Sequence, residues 1–229
     1  MPLAGTSHTD VSPVNVGILE VQGAFMEHKV SLQKAASSLD LEIHVHGIRT
    51  AGDITDSLEG LIIPGGESTT ISIYLKRNNM EDVLRKWVLN ERHVTWGTCA
   101  GMILLAKVTE NQKLGGQTSL GVMDMDVSRN FFGRQLQSFE APVSITDKHF
   151  SVVTGYDTFP GVFIRAPAIV KVLSSDVQVL ATTRAPDAED DVIVAAKQGN
   201  VITSAFHPEL TEDCSWHMYF LQTIILKRT

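Results

Sequence analysis

Short apolar runs alternate with stretches of helical periodicity through the first half of the chain. Val14 to Glu20 is apolar and β-rich, and Gln22-Gly23-Ala24 breaks it. Leu32, Ala35, Ala36 and Leu39 then recur at the i, i+3, i+4, i+7 spacing of one helix face. Glu42 to His46 and Leu61 to Ile63 are further short strands, the second ended abruptly by Pro64-Gly65-Gly66, with a helix expected from near Ser68. Met80, Val83, Leu84, Trp87 and Val88 mark one face of an amphipathic helix. His93 to Trp96 forms a fourth strand, and Met102 to Ala106 opens a buried helix. Strands alternating with helices at this spacing predict βαβ units, hence a parallel sheet covered on both faces.

The second half has another texture. Met123, Met125 and Val127 alternate with Asp124 and Asp126, the period-2 pattern of a half-buried strand. Phe139 to Ile145, Phe150 to Thr154, Val162 to Ile164, Val177 to Thr182, Val192 to Ala196 and Val201 to Ala205 read as short strands. The acidic stretch Asp187 to Asp191 between two of them reads as a solvated hairpin tip. Trp216, Tyr219, Phe220 and Ile224 share a face of a closing helix. The pattern predicts a polar tail over residues 1–13 and one α/β domain over 14–229, with an antiparallel β elaboration in its second half.

Composition narrows the function classes. The chain has 229 residues, a length that buries a large core without cross-links. Its 26 acidic against 19 basic residues leave a net charge of −7, which argues against nucleic acid or an anionic membrane surface as partner. The amino-terminal residues carry neither a basic start nor an apolar stretch, and no run nears the roughly 18 apolar residues of a membrane span. Two cysteines, Cys99 and Cys214, make neither a disulfide framework nor a zinc spacing. A cytoplasmic protein follows, in which a special cysteine is special for its reactivity. His44 and His46 share a strand face, but two imidazoles without a third ligand make no metal site, and none is expected. Cys214 reads as a packing thiol.

The chemistry gathers around Cys99. Gly97-Thr98-Cys99-Ala100-Gly101 lies between a predicted strand and a predicted helix, as the cysteine counterpart of the G-x-S-x-G nucleophile elbow. The glycines permit a sharp turn, and a helix amino terminus favours a thiolate. A thiol nucleophile needs a base, and the base an orienting group. His207-Pro208-Glu209 offers both, since residues i and i+2 of an extended backbone project to one side. The glycines of Pro64-Gly65-Gly66-Glu67-Ser68 allow backbone amides to approach a ligand. With the amide of Ala100 they form a candidate oxyanion hole. The loop lacks the lysine of a phosphate-binding P-loop.

These residues carry a resemblance. The elbow, His207-Pro208-Glu209 and Pro64 to Ser68 resemble the class I, triad-type glutamine amidotransferases. The chain is most similar to the branch that serves as the glutaminase subunit of pyridoxal 5′-phosphate synthase. Leu19 to Phe25, Ile63 to Thr70, Gly97 to Ala106, Arg129 to Gln135, Phe163 to Pro167 and Ala205 to Thr211 are the matching blocks. The resemblance implies a three-layer, flavodoxin-like, mostly parallel sheet and no cofactor. It implies L-glutamine as substrate and a (β/α)8-barrel synthase subunit as the partner that receives ammonia. It makes Cys99, His207 and Glu209 a triad, and Gly65 or Gly66 with Ala100 the oxyanion hole. Gly66, Glu67, Ser68, Arg129, Ile164 and Arg165 would line the glutamine site. Glu67 suits an α-ammonium and a guanidinium an α-carboxylate, while Arg129 and Arg165 each also fit a loop-bracing salt bridge. Gln22, Gly23 and Ala24 would face the synthase. Two rivals stand beside this reading: a cysteine hydrolase of the same fold acting on γ-glutamyl or peptide bonds, and a non-catalytic regulatory partner.

Overall fold

A computed structural model describes residues 12–110, 119–133, 138–184 and 190–228. Most of the amino-terminal tail, Arg134 and Gln135, and most of the acidic hairpin tip lie outside them. The strands are β1 (Val14–Leu19), β2 (Ile43–Ile48), β3 (Gly60–Ile63), β4 (Val94–Thr98), β5 (Ala106–Thr109), β6 (Met123–Ser128), β7 (Ser138–Ile145), β8 (Thr158–Ile164), β9 (Ala168–Val172), β10 (Val177–Thr183), β11 (Val192–Gln198) and β12 (Val201–Ser204). The helices are α1 (Phe25–Ser38), α2 (Ser68–Arg77), α3 (Glu81–Val88), α4 (Ala100–Leu105), α5 (Lys148–Thr154) and α6 (Ser215–Arg228).

The parallel order β2-β1-β3-β4-β12 forms the half that carries the predicted nucleophile. From β1 the chain crosses to β2 on one side, and from β3 to β4 on the other. Right-handed crossovers therefore put α1 on one face and α2 and α3 on the opposite face. Helix α6 packs beside α1, and α4 beside α2, so both faces are covered. Every residue of β3, β4 and β12 is buried, as expected of strands covered on both faces, including the polar Thr95, Thr98, Thr203 and Ser204. Trp96, Trp216, Tyr219 and Phe220 fill the layer between β4 and α6.

Beyond β12 the sheet turns antiparallel through β11, β10, β7 and β8, and β9 links β11 to β6. The predicted strand over Phe150 to Thr154 is instead helix α5. Asp147 caps it, its carboxylate accepting from Phe150 N–H at 2.7 Å, and Gly155 ends it at φ 78°. Of its β-branched residues, Val152 is 82% exposed, so no sheet claims them. Strands β5 and β9 had no counterpart in the sequence reading. Val83, assigned to the buried face of α3, is 39% exposed, whereas Leu84, Trp87 and Val88 are buried. His44 and His46 point outward from the edge strand β2, against Glu42 and Asn15. Cys214 packs at the margin of the core. Among the described residues no helix is long and apolar enough to cross a membrane.

Candidate active site

Loops from the carboxyl ends of four adjacent parallel strands meet at one place. After β1 comes Gln22, after β3 Gly65 and Gly66, after β4 Cys99, and after β12 His207. Cys99 sits at φ 46° and ψ −100°, a backbone that L-residues avoid. It is held there because its N–H donates to Ser204 O at 2.8 Å while its carbonyl already accepts from Ile103 N–H at 3.3 Å. The flanking glycines have a visible reason. A Cβ on Gly97 would stand 2.7 Å from the carbonyl carbon and oxygen of Gly101, and one on Gly101 would overlap the carbonyl of Ile63. Helix α4 can lie this close to its own strand β4 only without a side chain at Gly97, and this close to β3 only without one at Gly101.

His207 hangs from β8 by its N–H, which donates to Val162 O at 2.8 Å. Its Nδ1 lies 2.8 Å from Oε1 of Glu209. The partnership forms by a different route from the one the spacing suggested. Pro208 starts a 3-10 turn over Pro208–Leu210, and this turn, not an extended strand, swings Glu209 back beneath the ring. Burial disfavours the charged ring. Hydrogen bonds with Cys99 and Glu209, and their charges, reverse the sign, and the His207 pKa is pushed up to about 10. Burial also penalises the Glu209 carboxylate, but the imidazoles of His28 and His207 outweigh it and hold its pKa below the ordinary value. A Cβ on Gly65 would press on His207 and stand 3.3 Å from the Cβ of Cys99, so this glycine forms the floor between base and thiol.

The cleft above Cys99 has a volume of about 270 Å3. Gly66, Glu67, Ser68, Arg129, Ile164 and Arg165 all line it, as the sequence reading expected, together with Gln22, Cys99 and His207. Ala100 is buried under Cys99, and Gly23 lies against the carbonyl of Gly65. Ala24 is half-buried just before α1. Gln22 Oε1 accepts from Glu67 N–H at 2.7 Å, tying the loop after β1 to the loop after β3. Glu67 also serves as the cap of α2, accepting from Thr69 N–H at 3.2 Å and Thr70 N–H at 2.6 Å. Arg129 donates to Ser68 Oγ at 2.9 Å and lies 3.7 Å from Glu67 Oε1, so it braces the loop while facing the cleft.

Two lining residues escaped the sequence reading: Ile103, one turn into α4, and Asn130. With its amide nitrogen turned inward, Asn130 donates to the carbonyls of Arg129 and Arg165 at 3.1 and 3.2 Å. It thus steadies Arg165, whose φ of 43° is also in the left-handed region. Its place beside Arg129 was the available signal.

A thiol, an imidazole and a carboxylate in series at the carboxyl end of a parallel sheet define a class of α/β protein equipped for acyl transfer through cysteine. The chain belongs, more narrowly, to the SNO glutamine amidotransferase family, which matches residues 18–226. It is 43% identical over 227 residues to the probable pyridoxal 5′-phosphate synthase subunit PDX2 of Arabidopsis thaliana, covering 91% of this chain and 85% of that one. It is 41% identical to the pyridoxal 5′-phosphate synthase subunit PdxT of Thermococcus onnurineus, covering 91% and 98%. A crystal structure of a glutamine amidotransferase superposes with a TM-score of 0.73 at 41% identity, over 91% of this chain and 98% of the other.

Proposed function

We propose that the chain is the glutaminase subunit of a pyridoxal 5′-phosphate synthase. It converts L-glutamine and water to L-glutamate and ammonia, and delivers the ammonia to a (β/α)8-barrel synthase subunit. The observation that carries the mechanism is the series Cys99, His207 and Glu209 opening on a cleft with carboxylate and guanidinium walls. Glutamine enters side chain first. Arg129 or Arg165 pairs with its α-carboxylate and Glu67 with its α-ammonium. The Cys99 thiolate attacks the side-chain amide carbon, and the carbonyl electrons move onto oxygen. The amides of Ala100 and of Gly65 or Gly66 receive that oxyanion. His207, protonated, gives its proton to the departing nitrogen, and ammonia leaves a thioester on Cys99.

Water then attacks the thioester, and His207 takes its proton. Collapse of the second oxyanion breaks the C–S bond and releases glutamate. Glu209 holds the imidazole in orientation and stabilises its charged form. Gln22, which lines the cleft and bonds the proposed oxyanion loop, and its neighbours Gly23 and Ala24 are the residues that meet the incoming synthase. The acidic, reactive-thiol chemistry suits the cytoplasm, where Cys99 stays reduced.

The test is glutamine turnover by the full chain mixed with its synthase subunit. Cys99→Ala is expected to abolish glutamate release while leaving the complex intact. Turnover by Cys99→Ala within tenfold of wild type overturns the triad assignment.

A further inference from the structure

Beneath the proposed triad lies a second layer of buried side chains that the mechanism above does not use. Glu209 gives Oε1 to His207, and its other oxygen, Oε2, makes no hydrogen bond among the described residues. Nε2 of His28 lies 3.4 Å from that oxygen, with both side chains fully buried. The same Nε2 is 3.2 Å from Thr98 Oγ1, one residue before the nucleophile. On the ring's far side, Nδ1 of His28 is 2.9 Å from Nε2 of His217, also fully buried. Nδ1 of His217 ends the series without a partner among the described residues.

The proton positions follow from counting donors. Burial holds the pKa values of His28 and His217 below the ordinary histidine value, so each ring is neutral and carries one N–H. If His28 carried its proton on Nδ1, its Nε2 would accept from the Thr98 hydroxyl, but His217 would bury an N–H with no acceptor among the described residues. With the protons on Nε2 of both rings, His217 donates to His28, and the His28 N–H donates to Thr98 Oγ1 at 3.2 Å while Glu209 Oε2 lies 3.4 Å from the same nitrogen. The atoms then left without a hydrogen bond, His217 Nδ1 and Glu209 Oε2, are both acceptors. An orphaned buried N–H is the rarer and costlier defect, so the second arrangement prevails.

Resting on the triad reading above, we propose that His28 is a positioning residue for glutamine hydrolysis: its Nε2–H, anchored on Thr98 Oγ1, presents the positive edge of the ring 3.4 Å from Oε2 of Glu209 and steadies that oxygen electrostatically so that Oε1 stays on His207, with His217 fixing the tautomer. Because the ring is neutral, it restrains the carboxylate without cancelling the charge that stabilises the His207 imidazolium. His28 and Gln22 flank the same turn, so one short segment touches both the oxyanion loop and the back of the triad.

The experiment uses the full chain with its synthase subunit and measures steady-state glutamine hydrolysis. His28→Ala is expected to lower kcat roughly 10- to 100-fold, the loss of a buried N–H dipole beside a charged carboxylate. The same variant keeps KM within about twofold, and His28→Gln, whose amide restores a neutral donor, returns kcat to within about fivefold of wild type. Equal loss in both variants, or kcat of His28→Ala within about twofold of wild type, overturns the proposal. NMR of 15N-histidine-labelled wild type tests it without a variant: His28 is expected as the neutral Nε2–H tautomer, and a proton on Nδ1 overturns it. Cys99→Ala run alongside separates the two claims. If that variant is dead while His28→Ala is unimpaired, only the role of His28 fails; if it is active, the triad itself falls.

Discussion

Replacing Gly97 by alanine tests whether the nucleophile elbow depends on helix α4 lying against its own strand. The added Cβ would stand 2.7 Å from the Gly101 carbonyl carbon and oxygen and 2.6 Å from Leu105 Cδ1. Ordinary contact begins at 3.4 Å, so about 0.7 Å must be absorbed. Leu105 can turn aside, but the Gly101 carbonyl belongs to the helix backbone and moves only with the helix. Retreat of α4 carries with it the Ala100 amide and the carbonyl end of Cys99, the groups proposed to hold the oxyanion and aim the thiol. A 1 Å error in such a geometry costs about 100-fold in rate, so a shift of this size is expected to lower kcat/KM roughly 10- to 100-fold, about 1.4–2.7 kcal/mol of barrier. Overpacking in a filled core also costs about 1–3 kcal/mol of stability. The assay is glutamate release in the presence of the synthase subunit, with urea unfolding of the isolated chain. Gly52→Ala is the control, because only Thr50 Oγ1, at 3.8 Å, lies near its Cβ. The reasoning is refuted if Gly97→Ala keeps turnover within about threefold and stability within about 0.5 kcal/mol of the control.

Folding raises the His207 pKa to about 10, so the stabilisation it brings is complete below about pH 6.5 and is lost as pH rises through 10. Removing the thiol in Cys99→Ala takes away two of the interactions that raise it, so NMR should find the ring titrating at lower pH in the variant; coincident titrations would contradict the assigned cause. Asn200→Ala addresses the fold: its buried Nδ2 donates to Val88 O at 2.9 Å, His93 O at 2.8 Å and Asn90 O at 3.2 Å. The loss is expected to cost about 2–3 kcal/mol in urea unfolding, and a change below about 0.5 kcal/mol would show those carbonyls find other donors.

The parallel half of the sheet was legible because β1, β3 and β4 are short, largely apolar segments followed within a few residues by glycine-bearing turns. Gly97 and Gly101 carry their own steric reason, so the elbow could be read from five residues. The Phe150 to Thr154 segment misled because its β-branched content resembles a strand, while the decisive signals, Asp147 and Gly155, stand outside it. Strands β5 and β9 are short, and their partners β6 and β11 are remote in sequence or reached through irregular register, which local periodicity does not report. His28 and His217 were hidden differently. His28 falls on the buried stripe of Leu32 and Ala35, and His217 on that of Phe220, Leu221 and Ile224. An imidazole on such a stripe looks like a filler until two stripes meet on one face of the sheet and put a nitrogen of each ring 2.9 Å apart. That meeting is a property of the topology, since α1 and α6 become neighbours only because their strands cross on one face.

The division of the fold into a parallel and an antiparallel half corresponds to a division of labour in the proposed mechanism. Cys99, Gly65, Gly66, Gln22 and His207 all leave parallel strands at their carboxyl ends, where buried neighbours on both faces hold backbone amides and rings to a fixed geometry. Glu67 and Ser68 extend the β3 loop toward the substrate. The remaining walls, Arg129 after β6 and Ile164 and Arg165 after β8, come from the antiparallel elaboration. The two halves are not independent, because the His207 N–H donates to Val162 of β8 and Asn130 ties Arg129 to Arg165. His207, the proposed base, is therefore suspended between the element that carries Cys99 and the element proposed to grip the substrate. A displacement of β8 by a bound glutamine or a docking synthase would reach His207 through that backbone bond and through Phe159 and Phe163, which pack on Phe206. The second layer through Glu209 and His28 then opposes the motion from below, anchored to helices that do not touch the cleft.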